Sequence, residues 1–369
     1  MLDATGPGPH RRDVIVLGAS AGGVEALSAL CAGLPPDLPA VVCVVQHVAP
    51  TARSVLPEVL SRAGPLRASH PEDGEALRRG RIYVAPPDHH LLLGPDGRAR
   101  LRRGPQENRT RPAVDALFRS AAIAYGARVV GAVLTGLLDD GTAGLIAVKR
   151  CGGVSVVQDP EEARWPDMPR NALLRDSPDH CVRVAEMATL LARLSREAVP
   201  GGPPRPPPPE LVAEARIAER ETPPMALEDE TVGTPSVLGC PHCGGVLNEI
   251  AEERGVRFRC QIGHAFGPES LGAAQAEALE HALAAAVRTH RDRLALFRRM
   301  AEVARSKGQM LAMARWERAA TEAEASARVI AAAMATFGGR GGPGPGPGPG
   351  DDSEGTDGEG GGPPSAVLA

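Results

Sequence analysis

The chain has 369 residues and a formal net charge of −4, which predicts two folded regions joined by linkers and makes no broad electrostatic case for nucleic acid. No apolar run approaches the ~20 residues that a membrane-spanning helix needs, and residues 1–12 lack the apolar core of a signal peptide, so a cytoplasmic protein with no membrane insertion is expected. Lys149 and Lys307 are the only lysines, and the bias toward Arg, Ala, Gly and Pro carries no mechanism.

The first apolar run, Val14-Ile15-Val16-Leu17, leads into Gly18-Ala19-Ser20-Ala21-Gly22-Gly23. Short apolar runs bounded by glycine read as buried parallel strands. Gly18-x-Ser20-x-Gly22 fits a sharp strand-to-helix turn that exposes a nucleophile. The following residues, Val24 to Leu30, have helical spacing. Ser20 would then stand near a helix N-terminus, whose free amides and dipole stabilise an oxyanion. A glycine-rich turn can also cradle a nucleotide phosphate. That reading needs Asp or Glu at the end of the second strand, about 20 residues further on. The second run, Val41 to Val45, ends instead in Gln46-His47, and no carboxylate follows before Glu58. A full G-x-G-x-x-G and a P-loop lysine are also missing. The third run, Val129 to Leu134, leads to Thr135-Gly136-Leu137-Leu138-Asp139-Asp140-Gly141. Open parallel sheets collect their ligand sites at the carboxyl ends of the strands. Ser20, His47 and Asp140 on that edge are a nucleophile, a base and its orienter. The expected fold class is α/β, with a Rossmann-like, mostly parallel sheet and helices on both faces.

These motifs, with Tyr83 to His90, Asn108 to Phe118 and Gln158-Asp159-Pro160…Met168-Pro169, occur in the order seen in CheB-type protein-glutamate methylesterases. The chain resembles that family over residues 12–197, about half its length. The resemblance implies that Ser20 attacks a glutamate methyl ester on the cytoplasmic domain of a methylated chemoreceptor. His47 takes the serine proton and later gives it to methanol, and Asp140 orients His47. Backbone amides near Ala21 and Leu137 are the implied oxyanion donors. The family often has threonine where Ala21 stands, so a hydroxyl contribution there is lost. Asp139 is the rival to Asp140, its alternative reading a helix N-cap. His89 and His90 are expected in structural or substrate-contacting roles. Arg109 and Arg111 would meet an acidic substrate face or solvent. Cys31, Cys43, Cys151 and Cys181 read as small buried apolar residues. Better-known family members carry an amino-terminal receiver domain, and the twelve residues before the first strand are too few for one.

The proline-rich stretch from Pro200 opens a semi-rigid linker extending to about residue 237. Within it, residues 210–220 suit a short helix or strand. Cys240-Pro241-His242-Cys243 and Cys260-Gln261-Ile262-Gly263-His264 then have zinc-knuckle spacing. Cys240, Cys243, Cys260 and His264 would complete a closed, structural zinc shell in a zinc-ribbon-like unit over residues 238–267. A disulfide is the alternative, disfavoured in the cytosol, and His242 is the rival ligand, expected to face solvent. No catalytic cofactor is implied. Residues 268–337 read as a helical hairpin with a stripe of Leu279, Leu283, Val287, Leu294, Phe297 and Met300. The stripe would pack on itself or bind a signalling partner. Residues 1–11 and 338–369 read as a disordered leader and tail. The zinc unit is expected to be energetically separate from the triad, across the linker. Receptor adaptation, with accessory glutamine deamidation, is the expected function; a non-catalytic docking protein is the alternative.

Overall fold

The computed structural model describes residues 11–199, 206–220 and 232–338. The leader over 1–10, two parts of the linker (200–205 and 221–231) and the tail over 339–369 lie outside the described residues.

In chain order the amino-terminal half comprises β1 (Val14–Ala19), α1 (Gly23–Ala32), β2 (Val41–Gln46), α2 (Leu56–Ala63), β3 (Arg67–Ser69), β4 (Arg81–Val84), β5 (His90–Leu93), β6 (Ala99–Arg102), α3 (Val114–Tyr125), β7 (Val129–Val133), α4 (Thr142–Arg150), β8 (Val154–Gln158), α5 (Asp167–Asp176), β9 (His180–Val182) and α6 (Val184–Arg196). Seven strands pair in the order β3-β4-β2-β1-β7-β8-β9, every pair parallel. β5 and β6 form a separate antiparallel hairpin.

Successive side chains on a strand point to opposite faces, so β1 serves two cores at once. Val14 and Val16 pack with Leu117 and Phe118 of α3 and Leu145 of α4. Ile15 and Leu17 pack with Leu27 and Leu30 of α1 and Leu191 of α6. Burial on both faces explains why these strands read as unbroken apolar runs. The order of strands reverses between β1 and β7, and ligands bind at such a switch point, outside the carboxyl ends of the strands.

The expected linker holds a docked helix, α7 (Pro209–Glu219). Leu211 joins the core under α3, Ala218 packs with Leu92, Ala113 and Ala116, and Ile217 packs with Val232 and Ile250 of the carboxyl-terminal half. The short helix or strand expected over 210–220 is a helix, and it docks because its apolar residues recur at helical spacing and find a partner face. β10 (Thr234–Gly239) also starts inside the expected linker. With β11 (Val246–Glu252), β12 (Gly255–Cys260) and β13 (Ala265–Phe266) it forms an antiparallel sheet.

The expected separation of the two halves is likewise overturned. Glu214 of α7 accepts from Arg257 at 2.7 and 2.8 Å and from Arg259 at 2.9 Å. Arg259 also reaches Glu107 at 3.1 Å, and Arg119 of α3 pairs with Glu107. Arg257 pairs with Glu252 as well. Three guanidiniums and three carboxylates thus neutralise each other where both halves meet, which is how charges tolerate burial. α8 (Pro268–Ser306) and α9 (Met310–Gly338) form a hairpin at the end of the described residues. Of the expected stripe, Val287 is buried and Phe297 stacks on Trp316 of α9 at 5.6 Å, while Leu279 stays exposed; Arg305 pairs with Glu317 across the hairpin.

Candidate active site

Ser20 follows β1 at the turn into α1. Gly22 caps α1 with φ +71°, and a Cβ there would lie 2.6 Å from the Trp165 ring. Only glycine meets both demands cheaply. The Ser20 backbone is fixed by three bonds: its N–H donates to Thr135 O (3.0 Å), and its carbonyl accepts from Gln46 Nε2 (2.7 Å) and Gly23 N (2.9 Å). Gly136 backs the serine, where a Cβ would stand 2.8 Å from Ser20 Cβ and 2.1 Å from Met168 Sδ. The amides of Ala21 and Leu137 donate to no other described residue.

His47 follows β2, its N–H bonded to Ala19 O at 3.1 Å. Its ring Nε2 meets Asp140 Oδ2 at 2.7 Å, and Thr110 Oγ1 lies 3.4 Å from the same nitrogen. Nδ1 is therefore the ring nitrogen left for Ser20. Ser20 and His47 line one cleft of about 440 Å³, without a direct hydrogen bond between hydroxyl and ring. Such contacts tighten when substrate binds.

Asp140 is almost fully buried and heavily hydrogen-bonded. Oδ2 accepts from Val114 N (2.7 Å); Oδ1 accepts from Asn108 Nδ2 (2.9 Å), Gly141 N (3.0 Å) and Asp115 N (3.1 Å). Val114 and Asp115 open α3, so Asp140 caps a helix distant in sequence. Burial is the largest effect and opposes ionisation, but the hydrogen bond and charge of His47, with the Val114 amide and Asn108, hold its pKa below the ordinary range. Asp115 reciprocates by capping α4, accepting from Gly144 N (2.6 Å) and Gly141 N (3.0 Å). Burial and then the charge of Asp140 push Asp115 upward, as expected when two carboxylates share a site.

Asp139 also caps a helix, though not its own. Its Oδ1 accepts from Ser270 N (3.2 Å) and Ser270 Oγ, in the first turn of α8. Its Oδ2 is buried without a hydrogen bond, and burial beside Glu269 lifts its pKa to about 7. Next to it Leu138 has φ +65°, and Asn108 and Arg109 have φ +49° and +70°. Three non-glycine residues in this region around one cleft mark a locally constrained site.

The remaining polar residues hold structure. His90 is fully buried; its Nδ1 accepts from Ala113 N (3.2 Å) and its Nε2 donates to Pro105 O (2.9 Å). His89 bonds Pro87 O at 2.9 Å. Arg111 pairs with Asp88, and Arg109 pairs with Glu277 of α8, so neither simply faces solvent. Cys31, Cys43 and Cys151 are buried, and burial pushes the Cys31 thiol up to about 12. Cys181 departs from expectation: it is exposed on the sheet's edge strand, β9.

Sequence reasoning assigned no role to Asn108, Thr110 or Asp115, which line or support the cleft beside Ser20, His47 and Asp140. Asp115 did carry a signal: a lone carboxylate in the apolar stretch from Ala113 to Phe118 is the pattern of a buried cap. Nor did it foresee that His242, Ser270 and Glu277 would wall the same cleft as Ser20.

The second cluster comprises Cys240, Cys243, Cys260 and His264, whose ligand atoms all lie within 4.8 Å of one another. Cys243 Sγ and Cys260 Sγ are 3.6 Å apart; His264 Nδ1 is 3.6 Å from Cys260 Sγ and 3.7 Å from Cys240 Sγ. His242 packs its ring edge-on against His264 and Phe266, each at 5.1 Å, and belongs to the cleft wall rather than to this cluster.

Residues 15–191 match the family model of the CheB methylesterase. A protein-glutamate methylesterase/protein-glutamine glutaminase 2 of Anaeromyxobacter dehalogenans is 40% identical over 194 residues, covering 53% of this chain and 57% of that protein. A Burkholderia lata protein-glutamate methylesterase/protein-glutamine glutaminase 3 is 39% identical over 49% of this chain and 51% of its own length. The chain thus spans a little over half the length of these two. A shorter Leptospira interrogans relative is 34% identical and is covered over 95% of its length. The crystal structure of the Thermotoga maritima CheB methylesterase catalytic domain aligns with a TM-score of 0.48 at 32% identity, covering 49% of this chain and 98% of that one.

Proposed function

The chain belongs to the CheB methylesterase family, and on that premise we propose that it hydrolyses glutamate methyl esters on the cytoplasmic domain of chemoreceptors, with Ser20, His47 and Asp140 as its triad. The carrying observation is the 2.7 Å contact between His47 and a buried Asp140, beside Ser20 in one cleft at the switch point of the sheet. No described helix is long and apolar enough to cross a membrane, and a cytoplasmic location accompanies this reading.

Ser20 Oγ attacks the ester carbonyl while His47 removes its proton. The amides of Ala21 and Leu137, which have no acceptor among the described residues, stabilise the oxyanion. The carbon–methoxy bond breaks, and His47 gives its proton to the departing methoxide, releasing methanol. Water, deprotonated by His47, then attacks the acyl-enzyme; the Ser20 ester bond breaks and the glutamate carboxylate leaves. Asp140 holds the imidazole in its tautomer and stabilises the imidazolium. A primary amide follows the same path with ammonia as leaving group, which is the glutamine deamidation named for the relatives. Hydroxylamine should divert part of the product to glutamyl hydroxamate through the acyl-enzyme. A Ser20→Ala variant that still forms hydroxamate at the wild-type rate would remove the covalent mechanism.

The four-residue cluster fits zinc. A tetrahedral ion with Zn–S distances of ~2.3 Å places its sulfurs about 3.8 Å apart; Cys243–Cys260, Cys260–His264 and Cys240–His264 stand at 3.6–3.7 Å, and all four ligand atoms lie within 4.8 Å of one another. Four protein ligands leave no open position, so the metal's contribution is to fold the unit that holds it.

A further inference from the structure

The Asp139–Asp140 peptide is gripped from the carboxyl-terminal half at two points. Asp139 caps α8 through Ser270. Asp140 is reached through Asn108, a 5% exposed residue with four bonds directed to two places. Its backbone N–H donates to Ala265 O at 2.8 Å, and its Oδ1 accepts from Gly267 N at 2.9 Å. Its Nδ2 donates to Asp140 Oδ1 at 2.9 Å and to Asp115 Oδ2 at 2.7 Å. Ala265 directly follows His264, whose own carbonyl accepts from Cys260 N at 3.0 Å. A continuous chain of short bonds therefore runs from the Cys260–His264 turn through Ala265 and Gly267 to Asn108, Asp140 and His47.

Resting on the triad reading above, we propose that Asn108 is a positioning residue that ties the catalytic carboxylate to the Cys240–Cys243–Cys260–His264 unit, so that loading of this metal site sets turnover. A buried carboxylate is sensitive to each donor it loses, because unmade hydrogen bonds in a low-dielectric site are costly. Asp140 would move to recover a donor, and His47 would follow it. Misplacement of a catalytic group by about 1 Å costs on the order of a hundredfold in rate. The metal unit itself touches no reacting atom; it acts through the position of Asn108.

The test uses the full chain and four readouts: zinc content, kcat and KM on p-nitrophenyl acetate, and the low-field proton NMR signal of the His47 N–H shared with Asp140. Asn108→Gly suits the left-handed backbone at this position. It should keep one zinc per chain and its KM, lose about 10- to 100-fold in kcat, and lose the low-field signal. Cys240→Ser with Cys243→Ser should lose zinc and a similar factor in kcat. Combining the two should cost no more than the larger single loss, since they break one chain of contacts. Ser20-dependent turnover with wild-type kcat in Asn108→Gly, or in a folded zinc-free chain, would overturn the coupling; if the cysteine variant fails to fold, wild type stripped of zinc by a chelator takes its place. Fully multiplicative losses would also overturn it. Turnover that survives Ser20→Ala would instead sink the triad reading and the coupling with it.

Discussion

Glu214 is where the two halves of the molecule share most charge, and Glu214→Gln tests whether they fold as one. The side chain is fully buried, with Arg257 at 2.7 Å, Arg259 at 2.9 Å and Arg119 at 3.7 Å. Burial is the largest effect on its pKa and opposes ionisation. The charge and hydrogen bonds of Arg257, then the charges of Arg259 and Arg119, outweigh it and hold the group well below the carboxylate range. Glutamine keeps the volume and removes the charge. Arg119, Arg257 and Arg259 would then face only Glu107 and Glu252, leaving one buried positive charge uncompensated. Breaking a buried pair from one side costs about 3–5 kcal/mol, or about a hundred- to several-thousandfold in the unfolding equilibrium. Urea unfolding at neutral pH, followed by Trp165 and Trp316 fluorescence, measures it. The sign with pH follows from the depressed pKa: this stabilisation is present above the ordinary carboxylate pKa and is lost as pH falls through the lower folded value. Wild type and variant should therefore converge in acid. A loss below about 1 kcal/mol, the worth of an exposed ion pair, would refute the reading of this cluster as the joint between the halves.

Further outcomes follow from the site. Asp140→Asn should lower kcat by about 10⁴-fold with the fold retained, because the imidazole loses its orienting acceptor; steady-state kinetics beside circular dichroism checks this. Gly136→Ala should reduce turnover with little change in oligomeric state or secondary structure, since its Cβ would press on Ser20 Cβ and Met168 Sδ; kinetics on a small ester measures it. Asp139 has a folded pKa raised to about 7, so its contribution is complete below the unfolded carboxylate pKa and is lost as pH rises through about 7. Asp139→Asn should thus gain stability relative to wild type as pH increases across that value, read from paired urea midpoints.

The central strands were legible because both of their faces are buried. Val14–Leu17, Val41–Val45 and Val129–Leu134 each form an unbroken apolar run, and the triad residues follow their carboxyl ends. β3 and β9 are three-residue edge strands, too short to leave a pattern. The ties between the halves were not legible, for a different reason. Asn108 and Gly267 are far apart in sequence, and nothing local to either residue announces the bond. Glu214 lies in the short helix-or-strand stretch expected inside the linker, and nothing local to Glu214, Arg257 or Arg259 announces the buried charges they meet. Their burial depends on three segments converging. Asp139 shows the same limit: its role as a helix cap was legible, but the helix it caps begins at Pro268.

The most direct test is methanol release from a methylated chemoreceptor cytoplasmic fragment incubated with the purified chain. The wild-type chain is expected to release stoichiometric methanol and expose new glutamate carboxylates, with a loss of several orders of magnitude in Ser20→Ala and His47→Ala. Methanol release that is absent from the folded, zinc-loaded wild type, or undiminished in Ser20→Ala, would contradict this expectation.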